Sequence, residues 1–292
     1  MGCLLAAQLA RQKVPVTLLL RSPPAATNTI TIELQGVSGD WSQTLNSDAS
    51  AGKQSISHLL VMTKAYDVAA AVATVAHRLH SCSVVLLMSN GIGFADEILQ
   101  RFPLLPIVFG TTTEGSYRRG PWLIQHAGHG ATRIGIPGQR RAPDWFDDWH
   151  QSLPACQWDP DITVAQWRKL AINCVINPLT ALHGCRNGEL ADNRELSKLV
   201  IAMCREVALI GAAAGQGTAI AELERVVFNV IRHTAQNRSS MLQDIEAGRH
   251  TEIDYINGYA VRVATQHGVD TPLNRQILQE VRELERRGKP GT

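Results

Sequence analysis

A polar stripe in an otherwise apolar segment is the first feature of this sequence that could do chemistry. Lys169, Asn173 and Asn177 stand four residues apart, and most of the positions between them are apolar. On an α-helix of about 3.6 residues per turn, residues at this spacing share one face. Because a polar face on a buried helix costs stability unless a partner occupies it, the stripe predicts a site for a carboxylate-bearing ligand.

Two structural explanations of the same stripe remain open. Lys169 could reach solvent along its aliphatic stem. Asn177 could cap a new helix that begins at Pro178, which would put a helix break at this point.

Two further groups of polar residues lie closer to the end of the chain. Asn237 and Ser240 are three residues apart, so on a helix they could face one ligand together. The run from Thr251 to Asp254 resembles a capping box and predicts Glu252 in the first turn of a helix. A favourable charge beside the helix dipole is the simpler explanation of Glu252 from local sequence alone.

The elements that would position these residues fall into two parts. Short apolar strands are predicted at residues 16–20, 59–62, 84–88 and 107–109, with helices at 3–13, 65–79 and 94–102. This alternation predicts a doubly wound, Rossmann-like α/β domain. Gly-rich segments at 122–124 and 132–136 predict hairpin strands on the sheet edge. Helical periodicity dominates from 162 to 287, so we expect an α/β domain at 1–160 and an all-α domain at 161–292.

Three polar residues directly follow predicted strands, where doubly wound sheets bind ligands. They are Arg21, Lys64 and Asn90. An arginine at the end of the second strand suits the 2′-phosphate of NADP, whereas an acidic residue would bind the ribose hydroxyls of NAD. Each could be a plain surface turn, but their shared placement favours a cofactor site.

The start of the chain departs from the usual dinucleotide-binding pattern. Such sheets open with a strand that leads into GxGxxG, whereas Met1 and Gly2 lead directly into the first helix. Gly2 corresponds to the last glycine of that fingerprint. We therefore expect the α/β domain to lack its first strand, which leaves unpaired edges on the two neighbouring strands. The hypothesis that Met1 is internal to a longer chain is tested by the sequence upstream of it.

Composition excludes several classes of partner and site. The net charge is +2 and no basic stripe is present, so we expect no nucleic-acid partner. No apolar run approaches the ~20 residues of a membrane span, and the six cysteines form no CxxC pair. A reducing compartment, the cytoplasm, fits best. Two HxxH pairs occur, at 77 and 80 and at 126 and 129, but no carboxylate or thiol completes a recognised motif, so no metal is assigned.

Longer motifs along the whole chain resemble those of ketopantoate reductases. The motifs are residues 90–93, 110–113, 167–181, 187–190, 239–245 and 249–258. The likeness runs in order from Gly2 to the last helices, and only the missing first strand departs from the family.

The resemblance implies an NADPH-dependent reduction of 2-dehydropantoate to pantoate, in pantothenate synthesis. The sequence leaves the oligomeric state open between a monomer and a homodimer. In the mechanism that we hypothesise, hydride reaches the C2 ketone while charged Lys169 protonates the developing alkoxide. The resemblance implies substrate contacts at Lys169, Asn173, Asn177, Asn187, Asn237, Ser239 and Ser240. It implies cofactor contacts at Gly2, Arg21, Lys64, Asn90 and Ser116. Glu252 matches a glutamate assigned either to the catalytic centre or to the nicotinamide half of the cofactor, and both roles stay open.

Two rival interpretations remain. One is a related reductase of another branched 2-keto acid. The other is an inactive or truncated NADP-binding remnant, which the missing first strand motivates. Retention of Lys169 and Glu252 argues against decay.

Overall fold

A computed structural model describes residues 1–22, 27–153 and 155–287. The chain divides into two compact units. The first comprises Met1–Ser89 and Ala95–Ile162, and the second comprises Asn90–Phe94 and the chain from Thr163 onward. The five-residue segment Asn90–Phe94 thus groups with the second unit, although it lies within the range expected for the first domain.

The first unit is an α/β domain with two separate five-stranded sheets. Its helices are α1 (Gly2–Arg11), α2 (Val68–Val75), α3 (Asp96–Arg101) and α4 (Phe146–Ser152). Its strands are β1 (Thr17–Leu20), β2 (Thr29–Gly36), β3 (Trp41–Ala49), β4 (His58–Val61), β5 (Val84–Leu87), β6 (Ile107–Thr112), β7 (Gly115–Arg118), β8 (Leu123–Gly128), β9 (Thr132–Gly135) and β10 (Cys156–Trp158).

Helix α1 packs against both sheets of this unit. Leu4 and Ala7 join the core of the sheet ordered β1-β3-β2-β8-β7. Leu5, on another side of the helix, joins the core of the sheet ordered β10-β9-β6-β5-β4. The apolar faces of the two sheets are therefore buried in part by one helix.

Strands β1 and β4 stand at the edges of their sheets, because each pairs on one side only among the described residues. In a complete doubly wound sheet, the strands that correspond to β1 and β4 flank the strand that leads into the glycine-rich loop. Among the described residues both therefore stand as edge strands, and the predicted Rossmann-like α/β domain is confirmed.

The sheets are more mixed than the sequence indicated. The predicted strands are present, but the antiparallel hairpin of β2 and β3 was missed. Its signal was available, since burial alternates along β2, with Ile30, Ile32 and Leu34 inward. Strands β7 and β10 were also missed, because strands of three or four residues are too short for a clear period.

The second unit contains helices and no strand among the residues described. Its helices are α5 (Ile162–His183), α6 (Glu189–Asp192), α7 (Arg194–Ala213), α8 (Gly217–Ile220), α9 (Leu223–His233), α10 (Ser240–Glu246), α11 (Asn257–Gln266) and α12 (Pro272–Arg287). A single apolar core joins them, with Leu170, Val200, Val227 and Val281 among its fully buried members. In the part of the chain that the structure describes, no helix is both long and apolar enough to cross a bilayer.

The helix break expected at Asn177 and Pro178 is wrong. Helix α5 runs through Pro178 without interruption. Proline lacks the N–H that would bind the carbonyl four residues earlier, which is that of Cys174. Asn257 Nδ2 donates to this carbonyl instead, at 2.9 Å, and so replaces the missing helical hydrogen bond.

Candidate active site

The polar stripe of α5 forms as the spacing predicted. Lys169, Asn173 and Asn177 lie on one continuous helix, with Lys169 and Asn173 partly buried and Asn177 buried. Neighbouring positions such as Leu170 and Cys174 are buried in the core. Because Asn177 lies inside α5, it does not cap a new helix.

The ammonium of Lys169 lies in an environment that disfavours charge. Burial lowers the pKa of Lys169 to about 8, and the carboxylate of Glu252 opposes this shift. A lysine that reached bulk water would not show the desolvation that dominates here. With a pKa near neutrality, Lys169 can both hold and release a proton under ordinary conditions.

Glu252 is buried beside this lysine, and its carboxylate has a second named partner. Its side chain is 4% exposed. Asn90 Nδ2 donates to Glu252 Oε2 at 3.0 Å. Glu252 therefore interacts with Lys169 through its charge and with Asn90 through this hydrogen bond.

The capping box expected around Glu252 is wrong. The backbone N–H of Thr251 donates to Glu285 Oε1 of α12 at 2.8 Å, not to Asp254. Glu252 precedes a short 3-10 helix, Ile253–Tyr255, and α11 begins only at Asn257. Glu252 is thus not a first-turn charge of an α-helix, and the simpler explanation of this residue loses its basis.

The segment that carries Asn90 is held by close backbone contact. Ile92 N–H donates to the Tyr255 carbonyl at 3.0 Å. Gly91 has φ +86°, and a Cβ at this position would lie 2.3 Å from the Tyr255 oxygen. Only glycine fits this approach, so Gly91 fixes where Asn90 meets Glu252.

The connection between α9 and α10 is tied to neighbouring elements at both ends. Asn187 N–H donates to the Asn237 carbonyl at 3.0 Å, and Asn187 Nδ2 donates to Thr234 Oγ1 at 2.9 Å. Ser239 caps α10 by accepting from Leu242 N–H at 3.1 Å, so its hydroxyl has a structural task.

Asn237 and Ser240 do not share a helix face, contrary to expectation. Asn237 lies in the connection, whereas Ser240 is the first residue of α10. Both side chains are exposed. Any joint contact with a ligand therefore depends on the turn, not on helical spacing.

Asn187 offers a buried acceptor. Asn187 is 7% exposed, and its Oδ1 has no hydrogen-bond partner within the residues that the structure describes. Buried polar atoms are rarely left unpaired, so this oxygen marks a place for a ligand hydroxyl or a water.

The predicted cofactor residues of the first unit lie at the start of α1, after β1 and β4, and within β7. Gly2 is the first residue of α1, Arg21 is exposed beyond β1, and Lys64 follows β4. Ser116 lies in β7, with its Oγ 2.8 Å from Met1 Sδ.

The cationic side chains of Arg118 and Lys64 lie near the start of α1. Burial lowers the pKa of the Met1 amino group, and the cations of Arg118 and Lys64 lower it further against an opposing effect of Cys3. Arg118 is exposed and stands two residues after Ser116 in β7, which puts both on one face of the strand.

Sequence reasoning missed the polar network behind α5. Asn257 Nδ2 also donates to Asn274 Oδ1 at 3.0 Å, and Asn274 Nδ2 donates to Glu206 Oε2 at 2.8 Å. The N–H groups of Leu273 and Asn274 donate to the same Glu206 carboxylate at the start of α12. These residues are far apart in sequence, so no local spacing could reveal them.

Both parts of the chain match family models. Residues 1–139 match the family described as Ketopantoate reductase PanE/ApbA, and residues 161–285 match its C-terminal counterpart. The chain is also 38% identical to a 2-dehydropantoate 2-reductase of Yersinia pestis over 289 residues, covering 98% of this chain and 92% of that protein. The chain belongs to the ketopantoate reductase family.

Solved structures share the fold of this family member. A ternary structure of D-mandelate dehydrogenase with NADH and anilino(oxo)acetate has a TM-score of 0.88 at 21% identity, covering 99% of this chain and 96% of that one. A 2-dehydropantoate 2-reductase from Methylococcus capsulatus has a TM-score of 0.82 at 23% identity, covering 99% and 95%. At these identities the likeness concerns the fold.

Proposed function

We propose that this chain reduces 2-dehydropantoate to pantoate with NADPH, as a step of pantothenate synthesis. The observation that carries the proposal is the pairing of Lys169, whose pKa is lowered to about 8 by burial, with buried Glu252 on the polar side of α5. A lysine whose pKa is shifted by burial and by a neighbouring carboxylate is typical of reaction centres. All six cysteines are free, and on that basis we propose a cytoplasmic location.

The asparagines and serines of the second unit would bind the substrate. Asn173 and Asn177 would donate amide N–H groups to the carboxylate, on the same face as Lys169. Asn187 Oδ1, the unpaired buried acceptor, suits the substrate hydroxyl. Asn237 and Ser240 are exposed and would close around the same molecule, while Ser239 fixes the start of α10.

The first unit carries the features that a phosphate-bearing cofactor needs. The cations of Lys64 and Arg118 lie close enough to the amino end of α1 to lower the pKa of the Met1 amino group. Their positive charge favours a bound anion, and so do the N–H groups in the first turn of a helix. Arg21 beyond β1 would face the 2′-phosphate and Ser116 would add a hydroxyl. NADPH supplies a hydride to the C2 ketone when it is bound.

Lys169 supplies the proton that completes the reduction. Its protonated Nζ would hydrogen-bond the ketone oxygen, stabilise negative charge there, and transfer one proton as the O–H bond forms. Lys169 would then be neutral and would recover a proton from solvent. A pKa near the working pH suits both halves of this cycle.

Glu252 would act by keeping Lys169 protonated. Its negative charge raises the lysine pKa, against the larger opposite effect of burial. Asn90 holds the carboxylate through the 3.0 Å hydrogen bond to Oε2. Of the two roles open for Glu252, the electrostatic one is supported by these two interactions.

The test is NADPH oxidation with 2-dehydropantoate, compared with benzoylformate, the 2-keto acid that corresponds to mandelate. Lys169→Ala is expected to lower kcat by on the order of 10²- to 10⁴-fold, since it removes a general acid. Lys198→Ala is the matched control, because Lys198 is an exposed lysine of the same unit, paired with Glu195.

Two outcomes would contradict the proposal. Near wild-type kcat in Lys169→Ala would exclude the lysine as proton donor. A higher kcat/KM for benzoylformate than for 2-dehydropantoate would assign the chain to another 2-keto acid.

A further inference from the structure

Three potential metal ligands converge in the first unit, apart from the residues of the candidate active site. They are Glu114, His126 and His129, whose nearest ligand atoms all lie within 4.8 Å of one another. The sequence showed the HxxH pair but no carboxylate to complete it. The fold supplies Glu114, twelve residues before His126.

The β7–β8 hairpin brings the three residues together at its open end. Glu114 immediately precedes β7 and His129 immediately follows β8. Ser116 pairs with His126 across the hairpin, and a bulge separates this pair from Gly115 and Gly128. Such bulges re-aim side chains at the ends of strands.

The flanking backbone holds Glu114 and His129 at close range. Thr113 N–H donates to the Ala131 carbonyl, and Ala131 N–H donates to Thr113 Oγ1, both at 2.9 Å. A Cβ on Gly130 would lie 2.3 Å from the Thr113 carbonyl carbon and 2.4 Å from the Glu114 nitrogen. Glycine is therefore required where the two segments touch.

Contacts with Val37 and Ser38 orient His126. It is 2% exposed, and its carbonyl accepts from Val37 N–H at 3.1 Å. His126 Nδ1 lies 2.9 Å from Ser38 Oγ, while Nε2 lies 2.7 Å from Glu114 Oε2. When Nδ1–H donates to Ser38, the lone pair of Nε2 points toward Glu114. A hydrogen bond of this kind on the second ring nitrogen is the usual support of a metal-bound histidine.

We propose that Glu114, His126 and His129 form a zinc-binding site at the end of this hairpin. Two imidazoles and one carboxylate are a ligand set of Zn²⁺, and a water would complete a tetrahedron. Zn–N bonds of about 2.0–2.1 Å put neighbouring donors about 3.3 Å apart, so the ligands need only small movements. His129 is exposed and can make the larger one.

The test is calorimetric titration of the metal-stripped protein with zinc chloride. Wild type is expected to bind one zinc ion at a tight site. His129→Ala and Glu114→Gln should each weaken this site by on the order of 100-fold, and Ser38→Ala by about 10-fold, because Ser38 only orients His126. His80→Ala is the matched control: His80 is an exposed member of the other HxxH pair and should leave binding unchanged.

A second measurement separates ligand loss from unfolding. Zinc should raise the melting temperature of wild type and of His80→Ala but not that of His129→Ala, since a ligand that binds only the folded state stabilises it. The proposal is overturned if wild type shows no one-to-one site, or if His129→Ala and Glu114→Gln bind zinc as wild type does. The cluster would then be only a hydrogen-bonded Glu114–His126 pair with His129 packed against it.

Discussion

Asn90 Nδ2 donates a hydrogen bond of 3.0 Å to Glu252 Oε2, although 162 residues separate the two in the chain. The contact forms because Asn90–Phe94 packs with the helical unit. Asn90 was predicted as a cofactor residue at a strand end, yet its side chain also positions the carboxylate beside Lys169. Through Glu252, the turn that follows β5 is thereby linked to the electrostatic environment of Lys169, the proposed proton donor.

Gly91→Ala should separate Asn90 from Glu252. The new Cβ would collide with the Tyr255 oxygen 2.3 Å away, at a backbone φ of +86° that disfavours alanine. We expect kcat to fall about 10-fold or more, because misplacing a supporting group by about 1 Å has large effects. The control is Gly215→Ala, at φ +71° with nothing within 4 Å, which carries the backbone strain without the collision. Equal kcat losses in the two variants would contradict the positioning role.

The pH dependence of reduction should show one limb that belongs to Lys169. The pKa of this lysine is lowered to about 8, and the proposed donor must be protonated. Log kcat/KM should therefore be level below this pH and fall above it by about one unit per pH unit. Rates measured from pH 6 to 10, at about one-unit steps, check the limb. A profile that stays flat to about pH 10 would mean that an ordinary lysine or another acid supplies the proton.

Glu252→Gln should move that limb to lower pH. Glu252 raises the pKa of Lys169 by its negative charge, and the neutral amide keeps the size of the side chain while removing the charge. Less of the lysine is then protonated at neutral pH, so the rate at pH 7 falls while the rate at acid pH recovers. Glu195→Gln, an exposed carboxylate of α7, is the control. An unshifted limb in Glu252→Gln would point instead to the role at the nicotinamide half of the cofactor.

Asn257→Ala should destabilise the helical unit through α5. It removes the donor to the Cys174 carbonyl and to Asn274 Oδ1, both in a buried setting. We expect a loss of about 2–4 kcal/mol in the free energy of unfolding, measured in urea. In a Pro178→Ala background, residue 178 regains an N–H for the Cys174 carbonyl, so the same change should cost about 1 kcal/mol less. Identical costs in the two backgrounds would show that Asn257 does not compensate for the proline.

The sequence by itself determined the class of each unit and the stripe of α5. Alternating short apolar strands and helices indicate a doubly wound sheet, and the spacing of Lys169, Asn173 and Asn177 places them on one helix face. Both signals are local, because strand and helix periods repeat within a few residues.

The tertiary structure alone decided the features that depend on distant partners. Local rules end a helix before Pro178, but Asn257 lies near enough to supply the missing donor, and α5 continues. Local rules put Glu252 into a capping box, but Glu285 takes the Thr251 N–H. The carboxylate beside His126 and His129 likewise appears only when the hairpin closes. Each of these contacts joins residues well apart in the chain, and pairing at such separations leaves no periodic trace in a single sequence.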